Sequence, residues 1–459
     1  MFFKLKANLS DAEKSRIEFH LQQIAECVGF DRLTLPVLSR KSLSDLYESE
    51  KNPQHVIEHL GDHLKHDVGG IQLRVVPQQS QGSCSSGGCG GGNCSGPSGL
   101  AGHYEASNRS ITLEMEIDSD PLMGLAALIN GVVCDLLHQS NFDSASHPER
   151  VELAVVATGL GTIRNHVSLV KKQARCWDST QWDVSPRPFL DCQSLAYVNA
   201  LAAWARGDTT PEWLNDLPSE LKRPIRNSLK FLLKTNDSFF QPQQKQFLLG
   251  QSQREWWQLA SSSSVSKQVV AIRHLDCPGN LDDRQISLLL DKLRSPNRAI
   301  MLHAIAAIER LGIDRQAKVS EPVIRQLRHL AEHRDDEVRA KTLCTVARLG
   351  ELDESTVESA AMMLEANQKH LVFASVYALA TLTAIPDHIL KALDRCFVRA
   401  LRSCDYEFVD LFVAAYKRWL DDPQSHFQML LQDSPEHLPI AIGVLQKVPK
   451  QIVQIRRGA

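Results

Sequence analysis

The sequence predicts two halves of different build. An α+β N-terminal domain with a small sheet and mostly helices comes first, and an all-α solenoid of paired helices follows. Three observations carry this. Behind the capping pair Ser10 and Glu13, the apolar residues Ile17, Leu21, Ile24 and Val28 recur at helical spacing. Two segments, Ile71–Val76 and Ser110–Met115, alternate with period two and are rich in β-branched residues, as strands are. From about residue 265 the pattern repeats: Leu293, Leu330, Leu364 and Leu401 are spaced by 37, 34 and 37 residues, and a second apolar marker (Leu311, Leu349, Leu382, Trp419) follows each by 18 or 19. A helix pair of that size cannot bury its apolar face alone, so neighbours must stack into a continuous core.

Composition sets the outer limits. The chain has 459 residues, 43% hydrophobic and 23% charged, which is ordinary for globular protein; that length suggests roughly two to three domains. A formal charge of −3 gives no argument for nucleic acid or an anionic membrane as partner. Most of the 11 cysteines stand singly inside helical patterns, the usual setting of buried free thiols in a reducing compartment. The first residues, MFFKLKANLSDAEK, contain no apolar signal-like core, and no unbroken apolar run reaches membrane-spanning length. A cytoplasmic protein is the expectation.

In chain order, the helix over 10–28 leads to a short strand expected around Leu35–Val37. A helix over Pro53–Leu64 has Val56, Ile57, Leu60 and Leu64 on one side. Between the two strands, residues 78–102 are Gly- and Ser-rich and carry Cys84, Cys89 and Cys94. Spacings of five are looser than zinc sites use and a fourth ligand is missing, so a flexible loop is favoured over a metal site. Next comes an apolar helix with Asp120 as N-cap and Pro121 at its first position, running to His138. Residues 237–264, with Gln241–Gln246, Trp256-Trp257 and Ser261–Ser264, mark a composition shift and are expected to form a hinge. The array over 265–434 places second helices at Ala299–Leu311, Glu337–Leu349, His370–Leu382 and Glu407–Leu420, with an earlier fragment at Val265–Leu275. Residues 435–459 are expected as a capping tail with a basic end, Lys447, Lys450, Arg456 and Arg457.

Several motifs resemble known families. His103-Tyr104-Glu105, then Arg109-Ser110-Ile111-Thr112-Leu113, then Asp120-Pro121-Leu122-Met123 and the apolar helix, resemble the lead-in to the active-site helix of HExxH zinc metallopeptidases, in particular a bacterial zincin-like group. Residues 147–161 and 194–207 resemble further helices of that group, so that the likeness spans roughly residues 10–236. Two histidines at i and i+4 bind zinc there and the intervening glutamate polarises water. Laid on this chain, the resemblance puts Asn130 at the first histidine, Gly131 at the glutamate, Cys134 at the second histidine and Glu152 at the acidic third ligand. Glu152 alone keeps a ligand-type side chain, and a helix-surface carboxylate is favoured for it. Asp335-Asp336-Glu337-Val338-Arg339 resembles the turn of HEAT repeats, with the other units degenerate.

The resemblances imply a pseudoenzyme: an inactive zincin-like domain fused to a HEAT-like array, without cofactor, holding a protein partner on the repeat surface. The alternative is a hydrolase with an atypical metal or thiol site around Asn130, Cys134 and Glu152, with His138 nearby. The apolar neighbours Val133 and Leu137 argue for an inert Cys134 thiol. Gly131→Ala is expected to be neutral or slightly stabilising if no side chain crowds the position.

Overall fold

A computed structural model of the chain describes residues 7, 9–50, 52–76, 102–114, 121–142, 148–166, 190–250, 252–277, 279–366, 368–403 and 406–447. It divides into two compact units, Met1–Gln251 and Ser252–Ala459. The described residues are mostly helical, with one three-stranded sheet.

The first unit contains α1 (Asp11–Val28), α2 (Arg40–Glu50), α3 (Pro53–Leu64), β1 (Gln72–Val76), β2 (Gly102–Glu105), β3 (Ser110–Glu114), α4 (Pro121–Gln139), α5 (Pro148–Ala157), α6 (residues 161–166), α7 (Cys192–Arg206) and α8 (Ser219–Thr235). The sheet order is β1-β3-β2, with β1 parallel and β2 antiparallel to β3. Helix α4 packs against β2, β3, α1, α2, α3 and α5. That position explains its sequence: Leu125, Leu128, Ile129, Val132, Val133, Leu136 and Leu137 are all buried, as a helix surrounded by protein requires. Its length and mean hydropathy of 1.5 would let it cross a membrane, but 61% of that stretch is buried inside the fold, which marks a core helix.

The expected strand around Leu35–Val37 is not one. After a 3-10 turn over Phe30–Thr34 the chain is extended, but side chains take its carbonyls: Arg206 donates to Leu35 and Thr162 to Leu38. The Leu38 amide donates to the Gly159 carbonyl at 2.9 Å. These groups are satisfied without a partner strand. Gly159, at φ 87°, approaches so closely that a Cβ there would lie 2.3 Å from the Pro36 carbonyl oxygen.

The expected hinge over 237–264 is also corrected. Phe239 and Phe240 are fully buried, and the Phe239 amide donates to Glu18 at 2.8 Å. The Leu248 amide donates to Glu26, and Gln22 donates to the Gln246 carbonyl. This stretch is thus fastened to α1 and finishes the first unit. The boundary falls at 251/252, where Ser252 and Glu255 form a capping box that opens the next helix.

The second unit is a succession of helix pairs: α9 (Gln253–Ala260) with α10 (Val265–His274), α11 (Asp283–Leu293) with α12 (Arg298–Ile313), α13 (Glu321–Leu330) with α14 (Asp336–Leu349), α15 (Glu354–Met363) with α16 (Lys369–Leu379), α17 (Asp387–Arg402) with α18 (Tyr406–Trp419), and α19 (Pro423–Leu430) with α20 (Leu438–Lys447). The second helices form one continuous row in which each packs on the next, from α10 to α20. Residues 438–447, expected within a capping tail, supply the second helix of a further pair; residues 448–459 lie outside the described residues.

Two of the polar breaks between paired helices are side-chain caps. Asn297 accepts from the amides of Ala299 and Ile300, and Asp335 from those of Glu337 and Val338. Arg339 pairs with Asp336. At the other helix ends, orphan carbonyls are reached from the following pair: Arg310 donates to Leu275 at 2.8 Å, Arg418 to Ala380 at 3.2 Å and the Trp419 indole to Leu382 at 3.1 Å. A buried link is Glu309, whose carboxylate accepts from Lys341 and Thr345 at 2.6 and 2.8 Å and pairs with Arg348.

Candidate functional site

Positions 123, 127, 130, 134 and 138 of α4 fall at successive helical turns and share one face. Met123, Ala127, Asn130 and Cys134 are half-buried there and His138 is exposed. This is the face that the resemblance marks. Asn130 Oδ1 is buried with no hydrogen-bond partner among the described residues. Burial pushes the Cys134 thiol up to about 12, with the Asp135 charge adding to it. A thiol in that state carries almost no thiolate at neutral pH, so it is a weak nucleophile and a weak ligand.

Gly131 points to the sheet. A Cβ built there would lie 2.7 Å from Ile111 Cδ1 and 2.8 Å from its Cγ1. Strand β3 therefore packs directly against the helix backbone at the position where the resemblance expects a glutamate. The absence of a side chain is what lets helix and sheet meet this closely.

Glu152 is not the surface carboxylate expected from its helix. It is 3% exposed on α5 and both oxygens are engaged. Arg164 from α6 donates its Nε to Oε1 at 2.9 Å and adds a second contact through Nη2. The Leu190 amide donates to Oε2 at 2.9 Å. A buried carboxylate needs such partners, and the ion pair uses the group structurally. Among the described residues no group of three His, Cys, Asp or Glu side chains is arranged to hold a metal ion. Cys84, Cys89 and Cys94 lie outside the described residues.

The polar centre of the unit is a residue the sequence reading passed over. Asp135, next to Cys134, is fully buried. His66 Nε2 lies 2.7 Å from its Oδ2, and the Tyr104 hydroxyl donates to Oδ1 at 2.7 Å. Arg109 donates to both oxygens, at 3.0 and 2.7 Å, and also to the Asp67 carbonyl at 2.9 Å. Burial alone would raise the Asp135 pKa; the bonds from His66, Arg109 and Tyr104 outweigh it and hold the carboxyl well below its usual range. This clasp ties the turn after α3, strand β2 and the start of β3 to the central helix. Arg109 reaches it from a left-handed backbone, φ 50°. The available signals were an acid inside an otherwise apolar helix and the histidine and arginine of flanking turns.

No protein-family model matches the chain, and no curated protein matches it significantly.

Two more buried polar links join distant helices of this unit. Asn165 and Asn199 exchange amide hydrogen bonds at 3.0 and 3.1 Å. Glu18 accepts from the Tyr197 hydroxyl at 2.5 Å and pairs with Lys14 at 3.3 Å. Like the Asp135 clasp, they consist of mutually satisfied groups.

Proposed function

We propose that the protein is a non-catalytic interaction or scaffold protein of the cytoplasm, built from an inactive zincin-like domain and a HEAT-like helical array that holds a protein partner. One observation carries the loss of catalysis: Ile111 fills the space at Gly131 that a water-polarising glutamate would need. Supporting it, Glu152 is consumed by Arg164 and Leu190, and Cys134 sits where its thiol stays protonated. The interaction role rests on the row of stacked helix pairs, an architecture that presents extended surface for its size.

Metal analysis of full-length protein purified without chelator tests this reading, together with a hydrolase screen of the same sample. The expected result is no stoichiometric zinc and no turnover. Equimolar zinc that disappears in Cys134→Ala or Glu152→Gln would overturn it. Zinc lost only in Cys84→Ser or Cys89→Ser would assign the metal to the Gly-rich segment and leave the old site inactive.

A further inference from the structure

Helix α17 carries Lys391, Arg395, Arg399 and Arg402 at successive turns, all exposed and therefore along one stripe. Toward α19 this stripe borders a pocket of about 570 Å³ lined by the three arginines, Val398, Ser403 and Leu430. Asp394 also lines it, but its Oδ1 is occupied by the Tyr416 hydroxyl at 2.7 Å and His426 Nε2 at 2.9 Å.

The arginines have donors to spare. Arg402 bonds the Ser434 hydroxyl, and Arg399 donates to the Leu364 carbonyl at 2.6 Å. Those acceptors are neutral, and among the described residues neither Arg399 nor Arg402 forms an ion pair. Arg395 pairs with Glu365 at 2.9 Å, but both side chains are about two-thirds exposed, at 66% and 68%, so the pair is easily exchanged. Each guanidinium has five N–H donors in a planar fork that matches a carboxylate.

We propose that this groove is a docking site for an acidic peptide segment of a protein partner, one with carboxylates flanking an apolar side chain. The inference rests on the scaffold reading and says which surface serves it. Charge complementarity selects the carboxylates, and Val398 and Leu430 select the apolar residue between them. Arg395 and Arg402 are seven positions apart, about 10 Å along the helix, which about three residues of extended chain span. A free inorganic anion would gain nothing from Val398 and Leu430.

The test is fluorescence anisotropy of the full chain with a labelled Glu-Glu-Leu-Glu-Glu peptide, a Lys-Lys-Leu-Lys-Lys control, and inorganic phosphate as competitor. The acidic peptide is expected to bind, more tightly as salt falls, and the basic one not to bind. Arg395→Glu with Arg402→Glu should weaken binding on the order of tenfold or more. Arg325→Glu, 78% exposed on α13, should leave it unchanged. Thermal melting checks that each variant folds; if the double variant does not, the exposed Arg395→Gln alone should still weaken binding measurably. Absence of binding, equal binding by the double variant, or displacement by phosphate with no effect of replacing the leucine by serine would overturn the proposal. An array partner whose capture ignores these arginines would overturn this surface and leave the scaffold reading standing. Zinc-dependent turnover would overturn the scaffold reading without touching the peptide result.

Discussion

Ile111 on β3 occupies the space that any side chain at position 131 of α4 would need. Three of its atoms would lie between 2.7 and 3.0 Å from a Cβ there. Helix propensity alone favours alanine over glycine by about 1 kcal/mol. Overpacking a tight contact costs about 1–3 kcal/mol. The contact is with a branched side chain in the core and it decides the sign: the condition on which a neutral or stabilising Gly131→Ala was expected, an uncrowded position, is not met.

Gly131→Ala should therefore lower the stability of the first unit by up to about 2 kcal/mol, the overpacking cost less the propensity gain. Ile111→Ala, which removes the crowding atoms, should be less costly in the Gly131→Ala background than in the native one. A double-mutant cycle by urea unfolding measures this; strictly additive effects would refute the steric account.

Asp135→Asn should cost about 1–3 kcal/mol, below the range for a fully buried pair because Arg109, which loses its counter-charge, is 26% exposed. The native residue also makes stability pH-dependent. Its folded pKa is depressed, so the stabilisation is complete above the unfolded carboxylate value of about 4 and is lost as pH falls toward the folded value. Acid titration of the melting temperature should show a decline below about pH 4 that is shallower in Asp135→Asn.

A fragment ending at residue 236 should be markedly less stable than one ending at 251. The shorter one loses the buried rings of Phe239 and Phe240, worth about 3 kcal/mol or more together. It also strips the Phe239 amide from the buried Glu18 carboxylate. Thermal melts of the two fragments compare them directly; equal stability would restore the hinge at 237–264.

Glu309→Gln should weaken the second unit by about 1–3 kcal/mol, below the range for a fully buried pair because Lys341 and Arg348 are partly exposed. Burial raises the Glu309 pKa, but Lys341, Thr345 and Arg348 outweigh it and leave it lowered. Its contribution is thus present above the unfolded value of about 4.3 and fades as pH falls through the folded one. Unfolding of native and variant chains at neutral pH and in acid should differ most at neutral pH.

The sequence by itself determined the elements whose signals are local. Ser10, Asn297 and Asp335 announce their helices because an N-cap bonds amides only two or three residues away. The paired helices of the array were legible because apolar spacing reports which face each helix buries, and a recurring spacing reports that neighbours do the same. The small sheet was legible at β1 and β3 for the same reason, through alternation.

Tertiary structure decided whatever depends on which distant group arrives. The extended Leu35–Val37 segment was misread because the side chain that takes the Leu35 carbonyl, Arg206, lies 171 residues along the chain. Glu152 reads as a helix-surface acid until Arg164 and Leu190 close over it. Asp135 gathers side chains from 26 to 69 residues away, and Gly131 is explained only by a strand that begins 21 residues earlier. Periodicity specifies that a face is buried, because burial averages over many weak contacts. It does not specify which polar atom or methyl group meets that face, because such pairings are directional or steric and form only once the chain has folded back on itself.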